Sequence, residues 1–301
     1  MAESIRIIAS FRTDKGRVRE NNQDFVAWRE PDTQEARDRD GWLYLLADGA
    51  GGMDAGELAS RYATERLLEH YVEGAGERDW GLRLHRAMLA ANSDLRQLSA
   101  SQAAQNRMAT TMVAAVIAGD KAYIGNVGDS RAYLWRAGAL QQITRDQSLV
   151  AKLVEEGAIT EEEAATHPRR HVILYSLGSV RDPQVDIYEL TLNAGDQILL
   201  CSDGLTAHVE DDELAAILGE QDPEEASAAL VQLANERGGQ DNISVGVLRV
   251  LAVAKERAAL PIPEAERPVA APARAFLWSY TLFLSLLQTA LICLLWFFLL
   301  F

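Results

Sequence analysis

MVAAVIAGDKAYIGNVGDSRAYLW, residues 112–135, is the stretch that decides the fold class. It holds three apolar runs, 112–118, 122–127 and 131–135, each short and rich in Val, Ile, Ala, Tyr or Leu. Runs of this length, bounded by Gly and Asp, read as strands rather than helices. Gly119-Asp120 leaves room only for a tight turn between the first two, and Gly138 closes another turn after the third. Strands joined by such short links are antiparallel neighbours, because a parallel pair needs a crossover of a dozen or more residues. Further strand-like runs lie at 42–47 (WLYLLA), 197–201 (QILLC) and 243–250 (ISVGVLRV). Helical spacing is clear over 82–99, where Leu84, Met88, Ala91, Leu95 and Leu98 step by three and four. Helices are also predicted over 57–71 and 224–237, the latter stopped by Gly238-Gly239. Strands in runs, with helices between the runs, indicate an α+β fold rather than a doubly wound parallel sheet.

Composition narrows the function. The 301 residues carry 44 acids against 29 bases, a formal net charge of −15. Such a body repels phosphate backbones, so nucleic acid is not an expected partner. Two cysteines, Cys201 and Cys293, are too few for a disulfide scaffold or a four-cysteine zinc site. The N-terminus lacks the basic start and apolar run of a signal peptide. By contrast, 276–301 is a run of 26 uncharged residues. As a helix it would measure about 39 Å, longer than the roughly 30 Å bilayer core. Trp278, Tyr280 and Trp296 lie near its ends, where such rings favour the membrane interface. Residues 276–301 are therefore expected to form a single transmembrane helix, a C-terminal anchor. Arg267 and Arg274 on its flank place the body in the cytoplasm. Residues 252–275 contain Pro261, Pro263, Pro268 and Pro272 and read as a linker, which leaves 1–251 as one domain.

The chemistry concentrates in Asp-Gly pairs. Both LYLLADG (43–49) and ILLCSDG (198–204) are apolar strands that end in Asp-Gly, at Asp48-Gly49 and Asp203-Gly204. An Asp-Gly pair alone is ordinarily a turn. Asp24, Asp129 and Asp241 occupy similar strand or loop junctions. Five carboxylates can converge only around something that neutralises them, and a hard divalent cation with oxygen ligands is the simplest candidate. Rival chemistries fail on spacing. No G-x-x-x-x-G-K-[ST] loop is present, and Asp54 stands where the third glycine of a dinucleotide fingerprint would be. Cys201 has Ala207, not Arg, six positions on, so it reads as a core residue. His167 and His171 flank Pro168-Arg169-Arg170 with no glutamate, unlike a zinc protease site.

These residues lie in ordered motifs: TDKGRVRENNQD (13–24), ADGAGG with Gly56-Glu57 (47–57), TT (110–111), NVGDSRAYL (126–134), TRDQS (144–148), HP with LG further on (167–178), CSDGL (201–205) and GGQDNISV (238–245). In this set the chain resembles the metal-dependent Ser/Thr protein phosphatases of type 2C, the PPM group, over about residues 5–250. The resemblance implies two packed antiparallel sheets flanked by helices, an α-β-β-α sandwich. It implies two Mn²⁺ or Mg²⁺ ions and a weaker third. Asp48 would bridge the two metals, with the Gly49 carbonyl on one of them. Asp203 and Asp241 would complete the first metal's protein ligands, Asp24 would hold the second through water, and Asp129 would share the third with Asp203. Arg19 would grip the substrate phosphate, and residues near 150–176 would form a flap beside the site. The implied reaction is hydrolysis of phosphoserine and phosphothreonine by a water bridging two cations, which offset the phosphate's charge and make that water acidic. The substrate would be a phosphorylated protein, such as a Ser/Thr kinase or its target at the same membrane. A catalytically weak phosphoprotein-binding scaffold of the same fold and a small-molecule phosphatase are the competing readings. The chain departs from common family patterns at Ala50, Met53, Gln147 (often His) and Ala207 (often Asp).

Overall fold

A computed structural model describes residues 5–51, 54–101 and 108–253 of the chain. These residues fall within one compact unit of the chain. The linker and the 276–301 segment lie outside the described residues. Among the described residues, no helix is long and apolar enough to cross a membrane.

The chain opens with strands β1 (Arg6–Asp14) and β2 (Asp24–Arg29), helix α1 (Gln34–Asp40) and β3 (Trp42–Ala50). Two long helices follow, α2 (Ala55–Glu73) and α3 (Trp80–Ser101). Then come β4 (Ala109–Thr110), β5 (Met112–Ala118), β6 (Lys121–Val127), β7 (Arg131–Arg136) and β8 (Ala139–Gln142). Short helices α4 (Leu149–Glu155) and α5 (Glu161–Thr166) precede β9 (Asp186–Thr191) and β10 (Gln197–Cys201). The remainder is α6 (Asp203–Thr206), α7 (Asp211–Glu220), α8 (Pro223–Glu236) and β11 (Ile243–Ala252).

One sheet has the order β1-β11-β10-β7-β8 and the other β2-β3-β5-β6-β9, with β4 on β3. Every pairing is antiparallel. The expected α+β sandwich is present, with helices outside both sheets. Alternation along β3 shows why. Trp42, Tyr44 and Leu46 point between the sheets, where they meet Leu134, Ile198, Leu200 and Leu248. Leu43, Leu45 and Ala47 point the other way, under Ala59, Leu67, Met88 and Leu95 of α2 and α3. In the other sheet, Leu199, Cys201 and Val247 lie beneath Leu214, Leu218 and Leu230 of α7 and α8. A strand buried on both faces shows no polar alternation, which is why these runs are continuously apolar. Cys201 is fully buried, and burial pushes its thiol up to about 12, as expected of a core residue rather than a nucleophile.

Sequence reading located every long helix and the central strands to within a few residues. It left β1, β2, β4, β8, β9 and the helices α1, α4, α5, α6 and α7 unassigned. The apolar side chains that β1 partly buries against the inter-sheet core are Ile7, Ala9 and Phe11, and the strand pairs with β11 along its length. Such a strand is specified by its neighbour more than by its own apolar content.

Candidate active site

The acidic residues gather at one end of the sandwich, each placed by a different element. Asp24 begins β2 and stands directly across from Asp48 in the β2–β3 register. Unscreened like charges in that position repel. The Asp48 backbone is held at both its polar groups: its carbonyl accepts from Thr111 N–H at 2.9 Å and Thr110 Oγ1 at 2.8 Å, and its N–H donates to Thr111 Oγ1 at 3.2 Å. Asp203 opens α6 immediately after β10. Asp241 precedes β11, and Asp129 lies in the turn between β6 and β7.

Polar side chains outside the predicted set join these segments. Ser202 Oγ donates to Asp24 Oδ2 at 2.9 Å and accepts from Ser244 N–H at 2.9 Å. Asn242 accepts from Gln23 N–H at 2.8 Å and donates to the Lys15 and Asn21 carbonyls, each at 3.0 Å. It thereby pins the 15–23 loop, which carries Arg19, to the loop that carries Asp241. Ser202 and Asn242 lie inside the quoted CSDGL and GGQDNISV motifs, but their type alone carries no signal of role. The glycines that follow Asp48 and Asp203 have a packing purpose. A Cβ on Gly49 would meet the Gly56 carbonyl oxygen at 2.1 Å, and one on Gly204 the Asn242 carbonyl oxygen at 2.0 Å. Both glycines are required by neighbouring backbone.

The electrostatics are those of an under-neutralised acidic centre. Burial, opposed by hydrogen bonds from Ser244 and Ser202 and reinforced by Asp203 and Asp241, pushes the Asp24 carboxyl up to about 7. Burial and the charges of Asp24, Asp203, Asp129 and Asp241 hold Asp48 well above the carboxylate range. Asp129 rises to about 7 through burial, then the charges of Asp203 and Asp146. Asp203 is raised by burial and Asp241, and is relieved by a hydrogen bond with Asp48 and by the proximity of His171 and Arg19. Arg19 reaches the same centre, with its guanidinium donating to Asp241 Oδ2 at 2.7 Å.

This donor set fits divalent cations. Buried Asp24 Oδ1 and Asp203 Oδ1 have no hydrogen-bond partner, and an orphaned carboxylate oxygen is costly unless a cation meets it. No three acidic, His or Cys side chains close into a ready-made cage among the described residues. Hard cations of this kind keep waters and accept backbone carbonyls, so a few carboxylates suffice. Asp24, Asp48, Asp129, Asp203 and Asp241 are brought to one centre, with Gly49 beside Asp48. Of the four departures, Ala50 is exposed at the end of β3, Gln147 is buried, Ala207 caps α6, and Met53 lies outside the described residues.

A pH dependence follows. Asp24 and Asp129 hold protons up to about 7 in the folded protein but only to their ordinary 3.8 when unfolded. Folding therefore takes up protons between these values, and stability is lost as pH rises through the folded values. In EDTA, the melting temperature is expected to fall from pH 5 to pH 8. Added Mn²⁺ should raise it more at pH 8 than at pH 5, because protons compete for the same oxygens. A flat profile in EDTA would contradict this electrostatic picture.

Residues 15–242 match the protein phosphatase 2C family. The serine/threonine phosphatase stp of Listeria monocytogenes is 36% identical over 242 residues, covering 79% of this chain and 93% of that protein. The serine/threonine protein phosphatase PstP of Mycobacterium tuberculosis is 38% identical over 241 residues, covering 80% of this chain and 44% of its own. The crystal structure of Mycobacterium tuberculosis PstP/Ppp has a TM-score of 0.73 and 35% identity, covering 82% of this chain and 99% of that one. The PstP catalytic domain in complex with two manganese ions has a TM-score of 0.70 and 35% identity, covering 82% and 100%. With this similarity running through every segment that carries the acidic centre, the chain belongs to the protein phosphatase 2C family.

Proposed function

We propose that the acidic centre hydrolyses phosphoserine and phosphothreonine in proteins with two Mn²⁺ or Mg²⁺ ions, and that the enzyme works from the cytosolic face of a membrane. The protein is a Ser/Thr protein phosphatase of the 2C type. The observation that carries the metal chemistry is the convergence of Asp24, Asp48, Asp203 and Asp241 from separate segments, with two buried carboxylate oxygens unpartnered. Asp48 would serve both ions, with the Gly49 carbonyl on one of them; Asp203 and Asp241 would complete the first, Asp24 would help hold the second through water, and Asp129 with Asp203 would hold a weaker third. Bound ions supply charge neutralisation for a phosphomonoester dianion and an acidified water. The chain itself binds and orients the substrate. Arg19 is exposed beside Asp241, and its planar fork matches phosphate oxygens. No side chain need form a covalent bond to phosphorus. The direct test is release of phosphate from a phosphothreonine peptide with Mn²⁺ and with EDTA. Turnover that survives EDTA would rule out the metal mechanism, and binding of the phosphopeptide without turnover in Mn²⁺ would favour the scaffold reading.

The anchoring rests on residues 276–301, which lack any charge over a length that exceeds a bilayer core. Residues 1–251 form the phosphatase domain in this reading, and 252–275 the linker. Membrane placement suits a phosphoprotein substrate at the same membrane, such as a Ser/Thr kinase or its target, because tethering raises local concentration. Deleting 276–301 should move the protein from the carbonate-washed membrane pellet to the supernatant with peptide turnover unchanged. A deletion variant that stays in the pellet would exclude the anchor.

A further inference from the structure

Gln147 is buried, 7% exposed, and both ends of its amide are used. Its Oε1 accepts from Gly128 N–H at 2.9 Å, while Nε2 donates to Asp186 Oδ2 at 2.8 Å and to the Gln184 carbonyl at 3.2 Å. Its backbone makes two more ties. The N–H donates to the Gly128 carbonyl at 3.0 Å, and the carbonyl accepts from Leu174 N–H at 2.7 Å. The next residues continue the second tie: Ser148 bridges Ile173, and Leu149 N–H donates to the Val172 carbonyl at 2.8 Å. One residue thus joins the turn carrying Asp129, the start of β9 and both roots of the flap, which spans 149–172 and includes α4 and α5.

The turn has little slack. Gly128 adopts φ +106°, and a Cβ there would lie 2.6 Å from Thr111 Cγ2. Thr111 Oγ1 hydrogen-bonds Ser130 Oγ at 2.7 Å and also accepts from Asp48 N–H. A displacement at Asp129 is therefore passed to Gln147 rather than absorbed locally. On the flap, His171 lies two residues before Ile173 and within electrostatic reach of Asp203.

We propose that Gln147 is a positioning residue that locks the Asp129 turn and the flap base into one unit, so that a cation held by Asp129 and Asp203 also orders the flap. This rests on the metal-phosphatase reading above. The amide is suited to the task because it offers an acceptor to Gly128 and a donor to Asp186 at once. A His in its place can do the same, whereas Ala does neither. Glu keeps the shape and the Gly128 bond but sets a carboxylate against Asp186.

The experiment uses the full-length protein, with Mn²⁺ as the probe and two readouts: melting temperature, and tryptic cleavage after exposed Arg169 and Arg170. In the unsubstituted protein, Mn²⁺ should raise the melting temperature and slow cleavage by about tenfold, as expected when binding suppresses local opening. In Gln147→Ala and Gln147→Glu, Mn²⁺ should still raise the melting temperature, but protection of 169–170 should drop below about twofold. Gln147→His should restore it. If Gln147→Ala does not fold, the near-isosteric Glu variant carries the test. Full Mn²⁺ protection in the Glu variant, or an unsubstituted flap indifferent to Mn²⁺ while the melting temperature rises, overturns the coupling. A melting temperature that ignores Mn²⁺ in the unsubstituted protein overturns the metal reading and this inference together.

Discussion

Asp203→Asn is expected to lower kcat/KM on a phosphothreonine peptide by about 10³-fold or more at saturating Mn²⁺. Asp203 lies at the centre of the acidic cluster: it neighbours Asp48 and Asp241, adds to the charge felt by Asp24 and Asp129, and keeps one buried oxygen unpartnered. Asparagine has nearly the same shape, so the local fold should survive. What disappears is one negative charge and one anionic oxygen, the properties that hold a hard cation. Two measurements separate this from a folding defect. In EDTA the variant should melt at the same temperature or higher, since it relieves like-charge repulsion. In Mn²⁺ it should show a smaller rise than the unsubstituted protein. Turnover within tenfold of the unsubstituted protein, together with an undiminished Mn²⁺ shift, would remove Asp203 from the metal site.

Arg19→Ala should lower kcat/KM by about 10²-fold, mainly through a higher KM. The guanidinium donates to Asp241 Oδ2, but the pair is about half exposed on the arginine side, so water competes and the arginine can turn to an incoming phosphate. Its partner determines the sign of the metal effect. Freeing Asp241 removes a competitor for any cation there, so the Mn²⁺ concentration for half-maximal stabilisation should stay the same or fall. Arg19→Lys should recover little, because a point charge lacks the bidentate fork. A loss of Mn²⁺ affinity equal to the loss in kcat/KM would make Arg19 a support for Asp241 rather than a phosphate ligand.

The parts of the fold legible in the sequence were those in which a segment's own residues carry the signal. The 3.6-residue spacing of α3 and the doubly buried runs of β3, β5 and β10 are local properties. Strand β1 and the flap helices α4 and α5 were not read as elements, because neither flap helix has a buried residue and β1 depends on β11. At the site, carboxylates next to glycine at strand ends could be seen as a set, and the family resemblance ordered them. Ser202, Asn242 and Gln147 could not be assigned work in the same way. Ser, Asn and Gln are common everywhere, and their roles here are contacts to residues 19 to 227 positions away in the chain.

By itself, then, the sequence determined the α+β class, the acidic character, the set of candidate metal-ligating aspartates and the uncharged 276–301 run, since each is written in residue type and near-neighbour spacing. Tertiary structure alone decided which strands distant in the chain became neighbours, that Asp24 stands across from Asp48, that Arg19 rests on Asp241, and that Gln147 ties the Asp129 turn to the flap. It also decided why Gly49 and Gly204 are glycines. The physical reason is range. Periodicity and propensity act over a few residues, whereas hydrogen-bond satisfaction, backbone approach and carboxylate repulsion act between atoms that only folding brings within a few ångströms.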